Sequence, residues 1–211
     1  MPPDFPKPQV DFGPARPQNE AMNARIRLLL LGFLLAASGG ALDAQEGSSG
    51  IVIVSYSLEH LDRRASNQIA VWIESAGGEY VKTLFATDFM ARRKGFISRP
   101  QCCPEWVKAS GLAGMSEAQI DAISGATQSP GRIRLSWDCT DQRGKAVPPG
   151  VYIYKAEGNI SFETRVLWAG RITVGKLAGS SRAAAQWLPE KPSDGAELLT
   201  EVSARFQPSG R

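Results

Sequence analysis

The sequence predicts a mainly β protein, an antiparallel β-sandwich with one short helical insertion. Three observations carry this. About seven short runs are rich in β-branched and aromatic residues, at 51–58, 68–74, 80–85, 132–137, 151–157, 165–174 and 198–206. Turn-forming residues separate them at short intervals, the pattern of a β-sandwich. Only residues 87–123 depart from it, with charge clusters, a Pro-led segment and a capped helical stretch.

The elements follow in order. The run at 51–58 comes after a Gly-Ser break. In the run at 68–74, side-chain alternation gives Val71 and Ile73 one face and Trp72 the other. Ala76, Gly77, Gly78 and Glu79 form a turn signal, so 68–74 and 80–85 read as a hairpin. Pro104 suits the first turn of a helix through 105–109, ended by the glycines at 111 and 114. Ser116 with Gln119 three residues on matches a capping box, which predicts a helix over 117–123. Ser124 and Gly125 are its expected stop, since Gly accepts the left-handed conformation there. Thr127 is then expected in an exposed turn. Residues 132–137 alternate cleanly and predict a strand buried on one face. A turn-rich loop at 138–145 and the stretch Val147, Pro148, Pro149, Gly150 lead into 151–157. Residues 176–195 read as a polar linker, and 198–206 as a possible last strand.

Composition excludes several functions. The 211 residues carry a formal charge of +3, too small and too evenly spread for nucleic-acid binding. With His60 the single histidine, a His-based metal site or a Ser-His-Asp triad has almost nothing to work with. Residues 1–21 are rich in Pro and polar side chains and are expected to be disordered, with Met22 an alternative start. Residues 22–44 then have the order of a signal peptide: Arg25 and Arg27, an apolar run at 28–37, and small residues before Ala41 and Ala44, either of which can precede the cleavage site. The apolar run is too short to span a bilayer, which needs roughly 20 residues. The mature chain is therefore expected to be exported, to the periplasm or beyond, with no transmembrane segment.

Cys102, Cys103 and Cys139 are an odd set, so one pair and one leftover thiol are expected in an oxidising compartment. A bridge from Cys102 or Cys103 to Cys139 would tie the helical insertion to the sandwich. A vicinal bridge would be strained, and a redox pair or metal site has no Cys-x-x-Cys spacing to support it. The run Arg92, Arg93, Lys94 reads as a solvated face, or as a contact to a phosphate or an acidic partner.

The stretch at 121–127 is the one that suggests chemistry. Asp121, Ser124, Gly125, Ala126 and Thr127 resemble the acceptor motif for covalent flavin attachment, Asp-x-x-Ser-Gly-Ala-Thr. The resemblance implies FMN joined to the Thr127 hydroxyl through a phosphodiester by a flavin transferase. Gly125 and Ala126 remove side-chain bulk so that backbone can approach closely, and Asp121 would contact the transferase or its metal. Trp106, near the motif, is then the preferred candidate for a flavin neighbour, while Trp72, Trp137 and Trp168 read as core residues. The run from Trp137 and Asp138 through Asp141 and Gly144 to Pro148, Pro149, Gly150 and Tyr152 resembles the immunoglobulin-like domain of the flagellar hook-capping protein. Taken with the strand at 70–74 and the 121–127 motif, the chain resembles domain of unknown function 2271, a family of predicted periplasmic proteins, over residues 50–175. Cys139 departs from it, since such loops usually carry Gly. These resemblances imply an immunoglobulin-like sandwich. They also imply an exported FMN-bearing electron-transfer component, not an enzyme by itself, whose electron partner is a membrane-bound oxidoreductase. The alternative is a non-catalytic periplasmic binding or scaffold module.

Overall fold

The computed structural model describes residues 50–62, 65–162 and 164–209; the expected disordered start and signal segment, residues 1–44, lie outside them. Ten strands are described: β1 (Gly50–Leu58), β2 (Gln68–Ser75), β3 (Tyr80–Thr87), β4 (Ser124–Gly125), β5 (Gly131–Trp137), β6 (Gly150–Ser161), β7 (Thr164–Val174), β8 (Gly179–Arg182), β9 (Ala184–Leu188) and β10 (Leu199–Pro208). They form a four-stranded sheet, β5-β1-β10-β8, and a six-stranded sheet, β4-β3-β2-β6-β7-β9. Every pairing of these strands is antiparallel except β3 with β4. The protein is thus mainly β and built on two sheets, as the strand-and-turn pattern predicts.

The main core follows from alternation. In β1, Val52, Val54, Tyr56 and Leu58 are buried while Ser55 and Ser57 are not. The buried set joins Val71 and Ile73 of β2, Trp137 of β5, Tyr154 of β6 and Phe206 of β10 in one apolar cluster. Trp137 meets Tyr152 edge-on, with ring centroids 5.0 Å apart, and its indole N–H donates to the Thr140 carbonyl at 2.7 Å. An aromatic pair of this kind adds about 0.5–1.5 kcal/mol beyond its buried area.

Strand β2 is buried along nearly its whole length, on both faces. Its second face is covered by the segment between β3 and β4. This segment carries α1 (Asp88–Ala91), α2 (Gly95–Ser98), α3 (Pro104–Ser110), a 3-10 turn at Leu112–Gly114 and α4 (Glu117–Ile123). Trp106 of α3 and Met90 of α1 pack with Ala70 and Trp72 in a second apolar cluster. No described helix is long and apolar enough to cross a membrane.

The covered face also encloses charge. Glu157 of β6 is fully buried. Its carboxylate accepts the Trp106 backbone N–H at 3.0 Å and lies 3.2 Å from the Arg165 Nε. The Trp106 indole N–H donates to the Thr83 hydroxyl at 2.9 Å. One strand over, Glu74 accepts from the Trp72 indole at 2.7 Å and pairs with Lys155 at 2.8 Å. Among the described residues, Glu157 Oε1 and Arg165 Nε have no hydrogen-bond partner, so their contact rests on charge attraction, whereas Glu74, Trp72 and the Trp106 N–H groups are hydrogen-bonded.

Two sequence expectations are corrected. Residues 176–195 are not simply a linker: they supply β8, which pairs with β10, and β9, which pairs with β7. Both are mostly exposed edge strands, so they lack the apolar alternation that marks a strand in sequence. The cysteine bridge between insertion and sandwich is not formed. Cys139 belongs to the core between the sheets and Cys102 and Cys103 to the cluster on the opposite face of the six-stranded sheet, all three as buried free thiols.

Trp106→Ala should destabilise the protein by about 3–5 kcal/mol, since it removes a filled core volume and the indole hydrogen bond to Thr83; urea titration measures this, and a loss below 1 kcal/mol would show that the insertion is not packed as described. Burial raises the Glu157 carboxyl from its ordinary 4.5 to about 7, against the lowering effect of the Trp106 N–H and Arg165. The folded state therefore binds this proton more tightly than the unfolded chain. Its contribution is full below about pH 4.5 and is lost as pH rises through about 7. Glu157→Gln should flatten the stability profile across that window, as read from denaturation midpoints at stepped pH; an unaltered slope would place the titration elsewhere.

Candidate functional site

The site is built from the end of the helical insertion. Ser116 caps α4: its hydroxyl accepts the Gln119 backbone N–H at 3.3 Å, and the Gln119 side chain accepts the Ser116 N–H at 2.9 Å. This is the capping box read from the sequence. None of the α4 residues is fully buried, and Asp121 is exposed.

The helix stop differs from expectation. Gly125 has no left-handed conformation. Instead Ser124 turns into extended backbone, with its N–H on the Ile120 carbonyl, and Ser124 and Gly125 pair in parallel with Ala86 and Thr87 of β3. Glycine is needed at 125 for a different reason. A Cβ there would lie 2.9 Å from the Phe85 ring, closer than nonbonded carbons approach. The local sequence could not show this, because Phe85 lies far away along the chain.

Beyond that bridge the chain leaves the sheet. Ala126 and Thr127 are exposed. The next residue, Gln128, is drawn back: its side-chain carbonyl accepts the hydroxyl of the buried Tyr56. Burial pushes the Tyr56 hydroxyl well above the usual phenol range, so it stays a donor. Thr127 is thus held between two anchors, the β3–β4 bridge before it and the Tyr56 contact after it.

Arg92, at the end of α1, ties the motif together from outside. Its Nε is 2.7 Å from Asp88 Oδ1, its Nη1 is 2.9 Å from Asp121 Oδ1, and its Nη2 reaches Ser124 Oγ at 3.4 Å. Arg93 adds a second pair to Asp88 at 3.3 Å. These exposed pairs contribute little stability, about 0–1 kcal/mol each, but they place a guanidinium beside two motif side chains. The charge run was visible in the sequence; its target was not. The spacing of Asp88 and Arg92, four residues apart on one helix face, was the available signal.

On its sheet-facing side α4 borders a cleft of about 270 Å³ lined by Tyr80, Thr83, Met115, Gln119 and Ile123 among others. The Tyr80 and Thr83 hydroxyls are 2.7 Å apart. Trp106 does not face any such opening. It is fully buried, which removes it as a stacking surface for a flavin.

The structure therefore brings Asp121, Ser124, Gly125, Ala126 and Thr127 onto one short exposed segment, with the first two bound to Arg92. Cys102, Cys103 and Cys139 are not part of it. Burial raises all three thiols above their ordinary range, Cys139 to about 11, which leaves them protonated and poor nucleophiles. Chemically, the segment offers one accessible hydroxyl on backbone that is locally fixed.

Comparison with curated proteins returns no match, and neither does comparison with solved structures. A family model described as predicted periplasmic protein (DUF2271) matches residues 54–186, a span that takes in β2, the helical insertion, the 121–127 segment, β8 and the start of β9. The chain belongs to that family of predicted periplasmic proteins.

Proposed function

We propose that this chain is an exported protein carrying FMN covalently on Thr127 and serving as an electron-transfer component outside the cytoplasm. The observation that carries the reading is the presentation of Thr127: exposed, next to exposed Ala126, and fixed on both sides by the β3–β4 bridge and by Gln128. A transferase needs such a hydroxyl on approachable backbone. Attachment forms a bond from Thr127 Oγ1 to phosphorus as the donor's pyrophosphate bond breaks and the hydroxyl proton leaves. The residues fit a phosphate-bearing group. Ala126 adds little bulk, and Arg92 brings positive charge to the motif's Asp121 and Ser124. When bound, the flavin supplies the redox chemistry; the chain supplies attachment and surroundings. A flavin transferase and a membrane-bound oxidoreductase are the partners this reading requires, and the chain is not itself an enzyme. An immunoglobulin-like relation of the two sheets belongs to the same reading, on the likeness of the segment from Trp137 to Tyr152.

A second reading is favoured by one specific observation. Asp121 and Ser124 both engage Arg92, and Gly125 is required by Phe85, so most motif residues have a structural use that needs no flavin. The chain would then be a non-catalytic periplasmic binding or scaffold module.

Intact mass and peptide mapping of mature protein, purified from cells with an active flavin transferase, separate the two. The peptide containing Thr127 should gain the mass of FMN less water, and Thr127→Ala should abolish the gain while leaving the urea midpoint unchanged, as expected for an exposed side chain. Flavin retained on Thr127→Ala would move the attachment site; an unmodified wild-type peptide, with a control acceptor modified in the same cells, would leave the scaffold reading.

A further inference from the structure

The helical insertion covers one sheet of the sandwich. Among the described residues, no such cover lies on the outer face of the other sheet, β5-β1-β10-β8, and its side chains form an ordered pattern. Pairing registers place Arg134, Ser55, Ser203 and Arg182 in one row straight across the four strands. The next row along the strands is Ser136, Ile53, Arg205 and Ser180. All eight point outward, since the intervening residues Val54, Trp137, Ala204 and Phe206 are buried. Together they line a groove of about 770 Å³.

The groove is electrostatically one-sided. It is lined by three arginines and no carboxylate. Arg134, Arg182 and Arg205 are exposed, and none forms an ion pair with a described residue. The contrast is Arg132, two residues before Arg134 on the same strand, which is neutralised by Glu201 at 2.5 Å. At about 4.8 Å per strand, Arg134 and Arg182 stand about 14 Å apart, with Arg205 offset between them. At about 3.4 Å per residue, 14 Å is about four residues of an extended chain, so Arg134 and Arg182 match carboxylates four residues apart, each through a bidentate contact.

Two further features select the occupant. Ile53 and, one row on, Ile51, 47 % exposed, add an apolar seam beside the arginines. The serine hydroxyls both donate and accept, which suits backbone amide groups. No aromatic side chain lines the groove for stacking sugars or bases. The geometry points to a docking groove for an acidic, extended segment of a partner protein, with apolar side chains between its carboxylates. This groove is separate from Thr127, and it works in the same way whether or not that residue carries a flavin.

The test uses the mature, unmodified chain and a fluorescein-labelled peptide of repeated Glu-Ser-Leu-Ser, which when extended presents Glu and Leu in turn on one face, followed by anisotropy. The peptide should bind, and binding should weaken about tenfold or more in the combined variant Arg134→Gln, Arg182→Gln, Arg205→Gln and on raising salt. Ile53→Ser should weaken it as well. The single variant Arg182→Gln, at an exposed edge strand, keeps the test valid if the combined variant does not fold. Absence of peptide binding, or binding that neither Arg182→Gln nor the combined variant weakens, would overturn the proposal. So would tighter binding of inorganic polyphosphate or of phosphatidylglycerol vesicles that is indifferent to Ile53→Ser, since either result would make the groove a general anion surface.

Discussion

Strand β2 has no face turned to water, and the rest of the architecture follows from that constraint. One side, with Val71 and Ile73, belongs to the space between the sheets; the other, with Ala70 and Trp72, must be roofed. The roof is the segment between β3 and β4, and Trp106 is its central contact, filling volume and supplying two hydrogen-bond donors. Because β6 lies beside β2 in the same sheet, Glu157 goes under the roof as well and needs the Trp106 N–H and Arg165. The apolar packing and the Glu157 carboxyl therefore share one contact residue, Trp106.

The roof also decides where the Thr127 segment emerges. After α4 the chain must return from the outer layer to the sandwich edge, and the parallel bridge to Ala86 and Thr87 is the point of return. From there it crosses to β5 in the other sheet. The crossing joins the edge strands of the two sheets, β4 and β5, and Ala126 and Thr127 lie exposed on it. This explains how a segment can be solvent-accessible and still have defined geometry.

Much of the fold was legible because its central strands obey simple periodicities. The strand at 51–58 is marked by its β-branched run, and the division of β2 into a Val71 and Ile73 face and a Trp72 face can be read directly from residue order. The capping box of Ser116 and Gln119 is legible for the same reason, since all its partners are local. What was illegible depended on distant partners. Gly125 answers to the Phe85 ring, Arg92 to Asp121 and Ser124, and Gln128 to Tyr56; none of these pairs is marked by spacing. The edge strands β8 and β9 failed differently: apart from Trp187 and Leu188 at the end of β9 they carry Gly, Ser, Arg, Ala and Gln, with little to bury. The cysteines misled because compartment chemistry says that thiols should pair, whereas the sheet itself stands between Cys139 and the other two.

Those buried thiols set an order of events for an exported chain. Cys102 and Cys103 lie beneath the roof and Cys139 between the sheets, all inaccessible once folding is complete. Before that they are ordinary thiols, and an oxidising compartment would join whichever of them met first. A bridge from Cys139 to either neighbour would span a sheet that has to lie between them, and it would lock the chain out of this arrangement. In an oxidising compartment, docking of the roof on β2 would therefore have to precede oxidation of these thiols.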